Sequence, residues 1–317
     1  MIHEYAIDPA FLLELANQAV LSESLIRALA VGMPCITAGY PSNLGGAARA
    51  LAKSKLDAAR EPKAIARYQD RLVRVTELAA KLTRTTTTRH NAVPWGQDFA
   101  PEHHRFPFAG ILSSNSPVNG EPCRSLDWLR TPACHLLTCQ TNDCVPRTAQ
   151  AMNEILLPLL QNAAKITFVD PYFFPNERFR DPYRLHLASI AVSSHVRVQG
   201  ARTVTIVCAA DTGRTACPAT EFKHSCEGVL PRWLPEGITL NIYRIKKIPG
   251  KQEIHNRYIL TDIGGVSFGH GTDMSNNNSY DDISLLSARQ FSHWKAAYTP
   301  NSPSFDWSEP LVTITRP

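Results

Sequence analysis

No run in the sequence approaches about 18 uninterrupted apolar residues, so no segment is expected to cross a membrane as a helix. Cysteine is sparse, with eight in 317 residues, at 35, 123, 134, 139, 144, 208, 217 and 226. That density is too low for a disulfide scaffold. The paired C-x2-C spacing of a zinc site is also missing. Two looser groups exist: Cys134, His135, Cys139 and Cys144, and Cys217, His224 and Cys226. Their spacing favours buried structural thiols, and neither a metal nor a cofactor is expected. The opening MIHEYAIDPAF has an early acid and no apolar core segment, so no secretory leader is expected and the expected address is the cytoplasm. No internal repeat of fixed period is present. These absences exclude a fibrous, disordered or repeat architecture.

What remains is ordinary globular composition, 44% apolar and 19% charged, with 33 Lys and Arg against 28 Asp and Glu for a net charge of +5. The length suits one large domain or two smaller ones. The first third reads as helical. Asp8-Pro9 forms an N-cap with a first-turn proline before FLLELANQAVLSESLIRALAV. AARALAKSKLDAAREPKAIARYQDRLVRVTELAAKL then reads as a helical hairpin broken near Glu61-Pro62. Its Lys and Arg residues read most simply as a solvated face. Residues 84–104 are polar and Thr-rich, a linker or surface loop in which His103 and His104 would be solvated.

From residue 105 onward, strands alternate with helices. FAGILSS and CHLLTCQ read as short strands, VPRTAQAMNEILLPLLQNAA as a helix and KITFVDPYFF as a buried strand. YRLHLASIAVSSHVR reads as a helix, RTVTIVCAA as a strand and TEFKHSCEGVLPRWL as a helix. ITLNIYRIKKI, NRYILTD, GVSFGHG and ISLLSARQF read as four successive strands. The fold class expected is α/β: a mixed, mostly parallel sheet flanked by helices over 105–317, with an N-terminal helical region and linker over 1–104.

One stretch carries chemistry. His255, Arg257 and Asp262 stand as H-x-R-x4-D, followed by Gly269-His270-Gly271-Thr272-Asp273. On a strand, residues 255 and 257 share a face. A phosphodiester calls for a nucleophile or acid beside a fixed cationic fork, and Arg supplies planar donors that match phosphate. Tyr243–Arg257 holds Arg244, Lys246, Lys247, Lys251 and Arg257 against Glu253 alone, a net +4 in fifteen residues. With the rest of the chain close to balanced, that excess would draw nucleic acid or an anionic head group. Arg178 and Arg180 are candidate rim residues. Asp281-Asp282 reads as a turn cap rather than a cation site.

These residues resemble the phospholipase D superfamily, whose signature is H-x-K-x4-D followed by a Gly-Ser-x-Asn-like segment. Asp170-Pro171-Tyr172-Phe173-Phe174-Pro175 is similar to the strand end common there. The pattern is closest to the phospholipase D-like domain that follows microtubule-interacting and trafficking modules, and to bacterial relatives in conflict and anti-phage systems. The resemblance covers roughly 105–317. It implies His255 as nucleophile forming a phosphohistidine, Arg257 holding phosphate oxygens and Asp262 supporting the histidine, in a metal-independent phosphodiesterase or nuclease. It also implies a phosphate site at Gly269, Gly271 and Asp273, to which the local charge adds Lys246, Lys247 and Lys251 as expected phosphate ligands. Here Arg replaces Lys, and His-Gly-Thr-Asp replaces Gly-Ser-x-Asn. A single motif copy implies either a two-fold homodimer or a second histidine, for which His270 is the internal candidate. The alternatives are a catalytically degenerate scaffold that binds protein partners through the N-terminal helices, or an anionic phospholipid head-group binder.

Overall fold

The computed structural model describes residues 1–83, 86–114, 123–131, 134, 136, 141–275 and 279–316. The chain divides into two compact units, Ile2–Gln140 and Thr141–Pro317, the latter including Met1. The division falls at 140/141 rather than at the expected 104/105, because the strand read in FAGILSS pairs inside the N-terminal sheet.

The N-terminal unit runs β1 (His3–Ile7), α1 (Pro9–Leu15), α2 (Ala19–Ala28), β2 (Cys35–Thr37), α3 (Leu44–Ala58), α4 (Pro62–Leu82), α5 (Ala100–Arg105), β3 (Gly110–Leu112) and β4 (Cys123–Arg124). Its strands form a parallel sheet in the order β2-β1-β3-β4. The region expected to be helical is therefore itself α/β. These strands have two to five residues, too short to show a period of two, and β1 is buried at four consecutive positions. The helix signals were sound. The Asp8 carboxylate accepts from Ala10 N at 2.9 Å with Pro9 at the first helical position, and α3 and α4 form the hairpin, restarting at Pro62.

The segment read as a polar linker is anchored by a buried ion network. Arg89 Nη1 donates to Glu102 Oε1 at 2.9 Å and to the Phe106 carbonyl at 3.0 Å, and Arg89 Nε donates to Glu4 Oε1 at 3.1 Å. The guanidinium stacks 3.9 Å from the centre of the Phe108 ring. Burial raises the Glu102 carboxyl, but bonds from Arg105, Val93 N and Arg89 outweigh it and hold the group below its ordinary value. His103, expected in solvent, is half-buried and its Nδ1 accepts from Phe108 N at 3.1 Å.

The C-terminal unit runs β5 (Asn142–Pro146), α6 (Ala149–Asn162), β6 (Ile166–Val169), α7 (Glu177–Val192), α8 (Ser194–Arg197), β7 (Arg202–Ala209), α9 (Ala219–Val229), β8 (Ile238–Ile245), β9 (Arg257–Thr261), β10 (Gly265–Phe268), β11 (Tyr280–Leu285), α10 (Ala288–Ala297) and β12 (Val312–Thr315). The eight strands order as β12-β8-β7-β6-β9-β10-β11-β5. Only β6–β7 and β7–β8 are parallel, which corrects the expectation of a mostly parallel sheet. The connection from β9 to β10 is three residues, enough for a hairpin and far too short for a crossover helix. Three more readings change. ISLLSARQF is a strand end followed by a helix start, where Ser287 and Gln290 form a capping box. β5 lies at 142–146, ahead of the helix read from Val145. Most of CHLLTCQ falls outside the described residues.

Behind β6, His186 is buried, its Nδ1 donating to Asn153 Oδ1 at 3.0 Å, and burial pushes its pKa down from 6.5 to about 3. Among the described residues, no helix is long and apolar enough to cross a membrane.

Two stability tests follow from these buried groups. Arg89→Met takes the Arg89 cation from the buried carboxylate of Glu4 and one of two bonded cations, Arg89 and Arg105, from Glu102, and should cost about 3–5 kcal/mol in urea unfolding; a loss under about 1 kcal/mol would contradict the network's role. His186 stays neutral in the folded chain while its unfolded counterpart takes up a proton below pH 6.5, so its contribution to stability falls as the pH drops from 6.5 toward 3. Between pH 7 and pH 5 the wild type should lose about 2 kcal/mol more than His186→Gln does. Equal losses would show that His186 is protonated in the folded state.

Candidate functional site

The winding of the C-terminal sheet reverses at β6. The chain lays β7 and β8 to one side of it, then returns to place β9, β10 and β11 on the other. Open α/β sheets leave a crevice at such a reversal, outside the carboxyl ends of the parallel strands. Here that crevice is a cleft of about 580 Å³. Asp170 and Tyr172 reach it from the end of β6, Gly213 and Arg214 from the segment after β7, and Arg257 from the start of β9. His270 and Asp273 reach it from the segment after β10, and Arg178 from the start of α7.

Asp170 holds these pieces together. Its Oδ1 accepts from Tyr172 N at 3.0 Å, and its Oδ2 accepts from Thr272 N at 3.0 Å and Thr272 Oγ1 at 2.9 Å. The Thr272 hydroxyl lies 3.2 Å from the buried Tyr183 hydroxyl. Burial raises the Asp170 pKa, the bonds from Thr272 and Tyr172 oppose this, and the nearby charge of Asp273 adds to the rise. Asp273 is neutralised from two sides. Its Oδ1 accepts from Arg147 Nη2 at 2.7 Å, and its Oδ2 accepts from Arg178 Nη2.

Between the two aspartates stands Gly271, with φ +135°, a conformation that favours glycine. A Cβ there would lie 3.1 Å from Asp170 Oδ2, 3.2 Å from Asp273 Oδ1 and 3.6 Å from Arg257 Nε. Arg257 lies with its guanidinium 4.9 Å from the centre of the Tyr172 ring, a cation–π contact. Its Nε is buried without a hydrogen-bond partner among the described residues. A charged donor in that condition is costly unless something accepts from it.

His270 is oriented by a residue first read as a turn cap. The fully buried carboxylate of Asp281 accepts from His270 N at 2.9 Å and from Gly271 N at 3.3 Å, and lies 3.4 Å from His270 Nδ1. The imidazole is otherwise exposed and faces the cleft. A carboxylate beside a histidine that lines a cavity suits proton transfer or nucleophilic attack.

The sequence-derived candidates separate into two sets. Arg257, His270, Gly271 and Asp273 come together at the cleft. Gly269 lies just outside it, where a Cβ would press on Asp281 Oδ1 at 2.8 Å. His255 is exposed ahead of β9 and does not line the cleft. The β9–β10 ladder stops at the Arg257–Phe268 pair; two residues further on, the same register would set His255 opposite His270. Asp262 lies past the other end of β9, about 16 Å along the strand from Arg257. Its Oδ1 accepts from Ala164 N at 2.8 Å and Lys165 N at 3.0 Å, and its charge faces the buried Arg202. Asp262 is therefore a clamp at the opposite end of the strands from the cleft rather than a support for His255.

The basic run is likewise spent elsewhere. Lys246 Nζ pairs with Glu309 at 2.5 Å, Lys247 Nζ pairs with Glu253 at 2.6 Å, and Lys251 Nζ donates to the Pro303 carbonyl. Arg244 is buried and donates to the carbonyls of Ala210, Thr215 and Cys217. None of these cations lines the cleft. Of the two rim candidates, Arg178 lines the cleft, whereas Arg180 pairs with Asp181.

Sequence reasoning missed Arg214 and Arg147, and it gave no site role to Asp170, Tyr172 and Thr272, which lie in its two motif segments, or to Asp281. An acid at the carboxyl end of a buried strand was a readable signal for Asp170; nothing marks Arg147. Among the described residues, no group of three or more His, Cys, Asp or Glu is placed to hold a metal. His135 and Cys139 lie outside those residues. Cys226 is buried, which pushes its thiol up to about 12 and away from reactivity.

No protein-family model matches the chain, and no curated protein matches it.

Proposed function

We propose that the cleft recognises a phosphodiester, most naturally one in nucleic acid. The observation that carries this reading is Arg257, whose buried Nε has no hydrogen-bond partner among the described residues and whose side chain lines a cavity also lined by Arg178 and Arg214. With Arg178 answered by Asp273, the guanidinium groups of Arg257 and Arg214 remain at the opening, and their planar donors suit the non-bridging oxygens of a phosphate. Tyr172, about two-fifths exposed and fixed beside Arg257, offers a ring edge to a sugar or base. The likeness of H-x-R-x4-D and DPYFFP to the phospholipase D superfamily, with its relatives in defence systems, supports the same ligand class.

In this reading His270 is the reacting group and Asp281 its orienting partner. Arg257, with Arg214, neutralises charge that builds on the phosphoryl oxygens. His255 has no part in the chemistry. A second reading, binding without turnover, is favoured by one observation: His270 is the sole histidine lining the cleft among the described residues. A two-histidine displacement needs one group to attack and another to protonate the leaving oxygen.

A dinucleotide is small enough to report on the cleft alone. Arg257→Gln should weaken its binding about tenfold or more, the worth of one charged hydrogen bond, while Lys247→Gln should leave it unchanged. Equal binding by wild type and Arg257→Gln would remove the reading. With bis(p-nitrophenyl) phosphate in EDTA, any turnover should fall on the order of 100-fold or more in His270→Asn and persist in His255→Asn. The reverse pattern would return the chemistry to His255.

A further inference from the structure

The net charge of the chain has an address that the reading of residues 243–257 passed over. Residues 44–83, which include α3 and α4, carry nine Lys and Arg against four Asp and Glu, a net +5. The buried positions of this hairpin are confined to its base: Leu44, Ala48 and Ala52 on α3, and Val75, Leu78, Ala79 and Leu82 on α4. From Lys53 to Arg74 no residue is buried. This span is an arm whose tip stands clear of the core of its own unit, which it meets near its base through Leu72, and it carries seven cations against three acids.

The geometry points to this arm as a second contact for nucleic acid, gripping the phosphate backbone by charge rather than reading bases. Lys53, Lys55, Arg60, Lys63 and Arg67 crowd both sides of the turn and are all exposed. On α4, Lys63, Arg67, Arg71 and Arg74 recur at spacings of four, four and three, and so fall within about 80° of arc over roughly 16 Å of helix. A row of cations on a rigid helix matches the regular charge spacing of a polynucleotide backbone. Carboxylates are few on the arm, and Asp70 is held by Arg74 at 2.9 Å. A membrane surface fits less well. Val73 is the one large apolar side chain of the arm that is strongly exposed, which is too little to insert into lipid. The arm lies in the N-terminal unit and its role does not depend on the cleft. Residues first read as a solvated face thereby acquire a partner.

The test uses the full chain with a fluorescent 30-base-pair DNA duplex of random sequence, its affinity followed from 50 to 300 mM salt by anisotropy. The variant carries Lys53→Gln, Lys55→Gln, Lys63→Gln and Arg67→Gln, all at exposed sites, and its thermal midpoint should match the wild type. Removing four phosphate contacts should reduce the slope of log affinity against log salt by about 3.6 and weaken binding at least about tenfold at 100 mM. Dinucleotide affinity should stay unchanged. An unaltered slope and affinity for the duplex would overturn the proposal, as would a wild type that fails to bind duplex at 50 mM salt. Loss of binding to vesicles of equal parts neutral and anionic phospholipid, with duplex affinity kept, would also overturn it and assign the arm to membranes. If Arg257→Gln loses the dinucleotide while the arm variant binds duplex normally, the cleft stands and the arm proposal fails.

Discussion

The cleft depends on the bonds made by one buried carboxylate. Asp170 ends β6 and accepts from Tyr172 on its own strand end and from Thr272 on the segment after β10. Those bonds fix the Tyr172 ring under Arg257 and bring Gly271 close against Arg257 Nε. They also set Asp273, the next residue, between Arg147 and Arg178. Burying a carboxylate is expensive, and this one is kept only because three donors converge on it. The arrangement behind His270 repeats the device, with buried Asp281 accepting the backbone amides of His270 and Gly271. Two buried acids thus shape the segment 269–273 from opposite sides.

Charge in the sequence and charge at a site are different quantities. The five cations of residues 243–257 look like a phosphate patch in one dimension. In three dimensions Glu253 and Glu309 answer two of them, and backbone carbonyls answer Arg244 and Lys251. Arg257 alone reaches the cleft. The acid that neutralises Lys246 lies more than sixty positions away in the chain, so no local count could have subtracted it. The α3–α4 arm shows the opposite case, a stretch whose alternating charges look ordinary in sequence but stand together once the helix periodicity is applied and burial is found to stop at Ala52.

Much of the C-terminal unit was readable. β6, α7, β7, β8, β9 and β10 fall where apolar runs and periodicity put them, since each is long enough to display its period or is flanked by Gly, Pro and Asp. The misreadings share a cause. β1 is buried at four of its five positions and β2 at all three, so neither carries alternation, and both lie in the stretch that reads as helical. The junction of β11 and α10 is apolar on both sides of Ser287 and is marked only by a capping box. At the site, Arg257 and His270 were legible because they lie in one glycine-rich segment. Asp262 has another role because the motif is contiguous in sequence, yet β9 carries its two termini to opposite strand ends of the sheet.

The most direct measurement is of Arg257 itself. In a ¹H–¹⁵N spectrum of the arginine Nε–H groups, assigned with Arg257→Lys, addition of a dinucleotide should shift the Arg257 signal in a saturable way. The signals of Arg197 and Arg202, which are buried against helix carbonyls far from the cleft, should stay in place. A spectrum in which Arg257 remains fixed while the dinucleotide binds would place the phosphate elsewhere on the molecule and contradict the account.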